Sequence, residues 1–195
     1  MLDEFQVYLQ LGFRHIADLA GYDHMLFIAA LAIPYAPRDW RRLAILVTAF
    51  TLGHSVTLAL ATLRLVSVPT RLVEALIPAT ILITALLSWP GPSTGAAPSA
   101  PPVHASRYVL TVGFGLIHGL GFSSYLRSLL GQEENIALPL FAFNVGLELG
   151  QLLVLCVVLA VGTVIIAMSL SRRRWEQALV VCTAGIAGGL LAARL

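Results

Sequence analysis

The chain has 195 residues, 58% of them hydrophobic and only 11% charged, with a net charge of +2. A soluble domain carries roughly 25% charged residues, so too little polar surface remains to cover a globule in water, and the composition marks an integral membrane protein. All 12 basic residues are arginines, scattered with no stripe to track a phosphate backbone, which excludes nucleic-acid binding.

The first residues, Met1 to Gln6, are acidic and lack the basic stretch of a secretory signal, so the first spanning helix is expected to drive insertion. A span needs about 20 mainly apolar residues. Six segments qualify: residues 11–35, 42–63, 72–89, 108–130, 137–170 and 175–193. The expected fold is a single all-α membrane domain over 1–195, a polytopic transmembrane bundle of about six spanning helices. The fifth span is too long to stand upright in a bilayer, so a tilt or a projection is expected. Prolines punctuate the connections, and the low-complexity stretch Pro90 to Pro102 predicts a flexible loop over 90–106. Trp40, Trp89 and Trp175 fall at span ends, where indole rings anchor at the headgroups. Cys156 and Cys182 lie in apolar runs without CxxC spacing and read as small buried hydrophobes.

Arginine asymmetry sets the expected orientation. Arg38, Arg41, Arg42, Arg107, Arg172, Arg173 and Arg174 fall on one side. Arg14, Arg64, Arg71, Arg127 and Arg194 fall on the other, together with Asp3, Glu4, Glu133 and Glu134. The first side is expected to be cytoplasmic, with both termini outside.

Polar side chains interrupt four of these spans. His24 follows Asp23 in Gly21-Tyr22-Asp23-His24-Met25-Leu26-Phe27, and His54 sits in Phe50-Thr51-Leu52-Gly53-His54-Ser55. His118 sits in Gly115-Leu116-Ile117-His118-Gly119, and Glu148 in Asn144-Val145-Gly146-Leu147-Glu148-Leu149-Gly150-Gln151. A charge near the bilayer centre costs about 2.5–3.5 kcal/mol on insertion scales, so such residues face one another or a wet cavity. At about 1.5 Å per residue, all four fall near the midplane or in the outer half. His, Asp and Glu are ligands for divalent first-row metals. A site of His24, His54, His118, Asp23 and Glu148 is therefore expected, with His15, Asn144 and Gln151 in support.

In the first span, His15, Asp18, Asp23 and His24 cannot share one face of an uninterrupted helix. Gly12 and Gly21 permit a break, and Gly21 is expected to end a half-buried N-terminal helix and to present Asp23 and His24 at the start of a deeper one. Asp23 would bind the metal or accept from an imidazole N–H, while Asp18 reads as interfacial. Asn144, Glu148 and Gln151 fall at i, i+4 and i+7 on one stripe. An interhelical hydrogen-bond ladder explains the two amides, but a buried carboxylate needs a cation or its proton. Glu74 is expected to snorkel or to pair with Arg71. No HExxH motif occurs, and a chain without lysine has no phosphate-binding loop of the Walker type.

At these motifs, and at Phe114 to Phe122 and Phe143 to Gln151, the chain resembles the HupE/UreJ family of small bacterial membrane proteins, more closely its HupE/UreJ-2-like branch. The family is associated with hydrogenase and urease gene clusters, and its better-studied members are regarded as secondary nickel or nickel/cobalt permeases. Those members carry a first-span histidine closer to the Asp-His pair, and a glutamate soon after the later His-Gly motif on the same helix. Here seven residues separate His15 from Asp23, and Glu148 lies one span beyond His118. The resemblance implies a permease for a divalent transition metal, Ni²⁺ or Co²⁺, in a bacterial inner membrane. The partners it implies are the metal ion, the lipid bilayer, and either a second copy of the chain or metalloenzyme-maturation proteins. The residues leave a second class open, an intramembrane hydrolase whose zinc is held by three histidines and whose carboxylate activates water. A role for His104 is not assigned by either reading.

Overall fold

The computed structural model describes residues 2–18, 21–91, 105–130, 136–168 and 171–195. Among these the chain is all helix: α1 (Leu2–Ala17), α2 (Asp23–Ala32), α3 (Trp40–Thr62), α4 (Thr70–Leu87), α5 (Ala105–Leu130), α6 (Ala137–Ala167) and α7 (Arg172–Ala192). Helices α3 to α7 are long and apolar enough to cross a bilayer. A multi-pass membrane protein follows. The loop expected at 90–106, with His104, falls mostly outside the described residues, although Ala105 and Ser106 already belong to α5.

The expected first span is built from two helices. Helix α1 is amphipathic, with Asp3 and Glu4 in its first turn and Arg14 in its last, each charge matched to the nearer end of the helix dipole. Its buried residues Tyr8, Gly12 and Ile16 recur every fourth position and form one stripe. Helix α1 ends at Ala17, the Gly21 amide bonds the Asp18 carbonyl at 3.1 Å, and α2 starts at Asp23. Helix α2 has 10 residues, a rise of about 15 Å or half a bilayer core.

Glycines then fix the pairing. A Cβ on Gly12 would collide with the Phe143 carbonyl of α6, one on Gly146 with the Leu9 carbonyl of α1, and one on Gly150 would press on Phe13 and Ile16. Phe5 faces Phe141, Leu9 faces Gly146 and Phe13 faces Gly150, so positions rise together along both helices and α1 and α6 run parallel. A Cβ on Gly53 would strike the Val112 carbonyl of α5, one on Gly115 the Phe50 carbonyl of α3, and one on Gly119 the His54 carbonyl. Helices α3 and α5 therefore run parallel too. In lipid, where apolar side chains gain nothing by leaving solvent, such backbone approach is a main source of helix association.

Helix α4 runs back between α3 and α5 in sequence and packs against α7, α2 and α5. At one end of the bundle Arg107 donates to the Tyr35 hydroxyl at 3.3 Å, and Arg172 to the Pro34 carbonyl at 3.4 Å. The starts of α5 and α7 thus gather at the end of α2, where the arginine-rich segments meet. At the opposite end Arg194 pairs with Glu74 at 2.6 Å. Glu74, expected to snorkel or to pair with Arg71 on its own helix, pairs with Arg194 just past the end of α7, because the antiparallel packing of α4 and α7 brings Arg194 across to it.

Candidate metal centre

Four imidazoles meet inside the bundle, each from a different helix. His15 arrives on the last turn of α1, His24 on the first turn of α2, His54 from α3 and His118 from α5. His24 is the hub: its ring centroid lies 4.8 Å from His15, 5.7 Å from His54 and 5.1 Å from His118. Phe27, Phe50, Phe122 and Phe143 wall the group, with Phe122 only 4.0 Å from the His15 ring and stacked on Phe143. His54 is fully buried and His118 nearly so, at 0% and 1% exposure.

Local sequence explains how each ring reaches this point. The break after Ala17 turns the chain so that His15 and His24, nine positions apart, stand edge to face. His54 lies between Gly53 and the contacts of Gly115 and Gly119, so the close crossing of α3 and α5 carries His54 and His118 inward together.

His15, His24 and His54 each offer a ligand nitrogen, all three within 4.8 Å of one another. An ion equidistant from such a triangle stands no more than about 2.8 Å from each nitrogen, against about 2.0–2.1 Å for a zinc–imidazole bond. The nitrogens are also uncommitted. His15 Nε2, His24 Nε2, both nitrogens of His54 and His118 Nδ1 are buried without a hydrogen-bond partner. An unpaired buried polar atom costs about 1–3 kcal/mol. Five such atoms in one cluster leave imidazole nitrogens that could take a cation.

A cavity of about 380 Å³ leads to the cluster. His15, His24 and His118 line it beside Asp23, and Glu74, Arg127 and Arg194 line it too. His54 is not among its lining residues and lies behind the other rings. Asp23, in the first turn of α2, is thus on the approach to the rings.

Glu148 is placed elsewhere. Its carboxylate accepts from the Thr48 hydroxyl at 2.6 Å and from the Thr51 hydroxyl, both on α3. Gln151 Oε1 lies 2.7 Å from the Thr51 hydroxyl. Ser55 Oγ lies 2.6 Å from the Thr51 carbonyl oxygen and 2.7 Å from the side-chain amide of Asn144, whose Nδ2 donates to the Leu140 carbonyl at 2.8 Å. The polar stripe of α6 therefore laces α6 to α3 and does not bind an imidazole. Threonine hydroxyls of α3 partner Glu148, an arrangement that residue type and depth alone do not reveal.

Sequence reasoning missed three participants. Glu74 and Arg194 stand at the cavity, and Thr80 of α4 lies 3.0 Å from His118 Nε2. Nothing in the apolar run of α4 flags Thr80 except that a threonine occurs there. Cys156 and Cys182, expected to be buried, are exposed on the outer faces of α6 and α7, where lipid serves a small apolar side chain as well as a core does.

A family model described as HupE / UreJ protein matches residues 1–194. No curated protein and no solved structure matches the chain.

Proposed function

The chain belongs to the HupE/UreJ family, and from that premise we propose that it is a permease for a divalent first-row transition metal ion, Ni²⁺ or Co²⁺. The observation that carries this reading is the imidazole cluster with free, buried nitrogens at the inner end of a polar cavity. Imidazole suits Ni, Co, Zn and Cu better than Mg or Ca, which prefer oxygen. Asp23 supplies negative charge on the approach, and the four imidazoles of His15, His24, His54 and His118 take over from the hydration shell. Neutral ligands alone hold a dication less tightly than a set that includes carboxylates, and a permeation site must release what it binds.

The arginine-gathered end faces the cytoplasm by the positive-inside rule. The cavity, lined by Arg194 near the C-terminus, then opens outward, in a bacterial inner membrane. The hydrolase reading is not favoured: the family points to metal passage, and the mid-depth carboxylate Glu148 is held by Thr48 and Thr51 away from the rings.

The test is flux in proteoliposomes offered Ni²⁺, Co²⁺ or Zn²⁺ alone. The wild-type chain is expected to pass Ni²⁺ or Co²⁺, and His54→Ala to abolish it. Undiminished flux in His54→Ala would remove the cluster from the pathway. Hydrolysis of a membrane-embedded peptide or ester without metal flux would move the chain to the other class.

A further inference from the structure

We infer that Thr80 is a positioning residue that fixes the tautomer of His118 and so presents the Nδ1 lone pair of that ring to the cation. The inference rests on the metal-site reading above but is carried by a separate observation, a count of protons.

The Thr80 hydroxyl has two close neighbours. Its oxygen lies 2.7 Å from the Ile77 carbonyl oxygen and 3.0 Å from His118 Nε2. A threonine hydroxyl has one hydrogen to donate and lone pairs with which to accept. A carbonyl has no hydrogen at all, so the contact to Ile77 is a hydrogen bond only if Thr80 donates there. The contact to His118 must then run the other way, with Nε2–H donating to Thr80 Oγ1. The opposite assignment leaves two oxygens facing each other at 2.7 Å without a proton between them. Thr80 is 2% exposed and His118 1%, so water does not compete for either group.

A neutral imidazole carries one N–H. With that hydrogen on Nε2, Nδ1 holds the lone pair, and Nδ1 is the His118 nitrogen that is buried without a partner. The His118 ring lines the cavity and stands 5.1 Å from the His24 ring. In the other tautomer a hydrogen would occupy the position a metal needs. A hydrogen bond to the far nitrogen of a metal-binding histidine orients the ring and raises its basicity, and removal of such a partner costs about 10–100-fold in metal affinity. Carboxylates and backbone carbonyls commonly fill this role. Here a hydroxyl does so, itself oriented by the backbone of its own helix, and it adds no charge to a low-dielectric interior.

The experiment has two readouts. The first is the ¹⁵N NMR spectrum of histidine-labelled, metal-free protein in lipid, with the His118 signals identified by their loss in His118→Gln. Wild type is expected to show Nε2 protonated and Nδ1 unprotonated, Thr80→Ser to keep that pattern, and Thr80→Val to lose it to exchange between tautomers. The second is a Co²⁺ titration followed by the ligand-field spectrum. Thr80→Val is expected to weaken binding about 10–100-fold, with Thr80→Ser near wild type. A wild-type His118 protonated on Nδ1 would overturn the inference even if Thr80→Val failed to fold. Unchanged tautomer and affinity in a folded Thr80→Val would overturn it as well. Wild-type protein that binds no Co²⁺ would instead sink the metal-site reading, while the NMR pattern still decides the role of Thr80.

Discussion

Thr51 of α3 donates a hydrogen bond to Glu148 of α6, so the carboxylate at mid-depth faces a hydroxyl pair and not the histidine rings. Glu148→Gln is therefore expected to leave Co²⁺ affinity within about threefold of wild type, since a Gln amide keeps the shape and most hydrogen bonds of the site. His24→Ala, which removes the hub of the cluster, is expected to lower it by at least about 100-fold. A calorimetric or spectroscopic titration separates the two. Loss of binding in Glu148→Gln equal to that in His24→Ala would place the carboxylate back in the metal shell.

The glycine contacts make a sharper forecast than the usual cost of glycine in a helix. Gly115→Ala drives a Cβ into the Phe50 backbone of α3, while Gly188→Ala meets nothing within 4 Å. Overpacking of this kind costs about 1–3 kcal/mol. Gly115→Ala should lower the thermal midpoint in detergent, and Gly188→Ala should leave it unchanged or raise it slightly. The reverse order would contradict the parallel pairing of α3 and α5.

Arg194 and Glu74 form a half-exposed ion pair beside the cavity. Such a pair adds about 0–1 kcal/mol to stability, so its role is expected in the field and not in the fold. Arg194→Gln removes a cation from the approach and leaves Glu74 unneutralised. The apparent KM for metal uptake should fall several-fold at low salt, with the difference fading towards about 1 M salt as screening sets in. Equal KM values at low salt would show that the mouth lies elsewhere.

Sidedness has a direct probe. Ser124 is exposed and lines the cavity. In a chain with Cys156 and Cys182 replaced by alanine, Ser124→Cys should react with a membrane-impermeant thiol reagent added outside intact cells. Asp39→Cys, at the arginine-rich end beside Arg42, should react only after permeabilisation. The opposite pattern would invert the topology.

The membrane class was legible because composition alone decides it, and the break near Gly21 was legible because His15 and His24 cannot share a face of one helix. Rotation about each helix axis was harder to read. In water an apolar stripe marks the buried face, but a spanning helix is apolar all round, so hydrophobicity gives no inward direction. Glycines carry that information instead: Gly53, Gly115 and Gly119 turn His54 and His118 inward, and Gly146 with Gly150 turns the adjoining side of α6 towards α1. With α6 set by α1, its polar stripe meets α3, which is why Glu148 shares a depth with the histidines without sharing their company. Thr80 could not be read because its meaning depends on a partner 38 positions away.

The two parallel helix pairs give the histidine cluster a mechanical sense. His15 belongs to the α1–α6 pair, His54 and His118 to the α3–α5 pair, and His24 to the short α2 between them. Backbone against backbone, each pair resists internal sliding, and across the joint between them Thr48 and Thr51 of α3 hold Glu148 of α6. An ion that bridges His15 and His54 acts as a clasp across that joint.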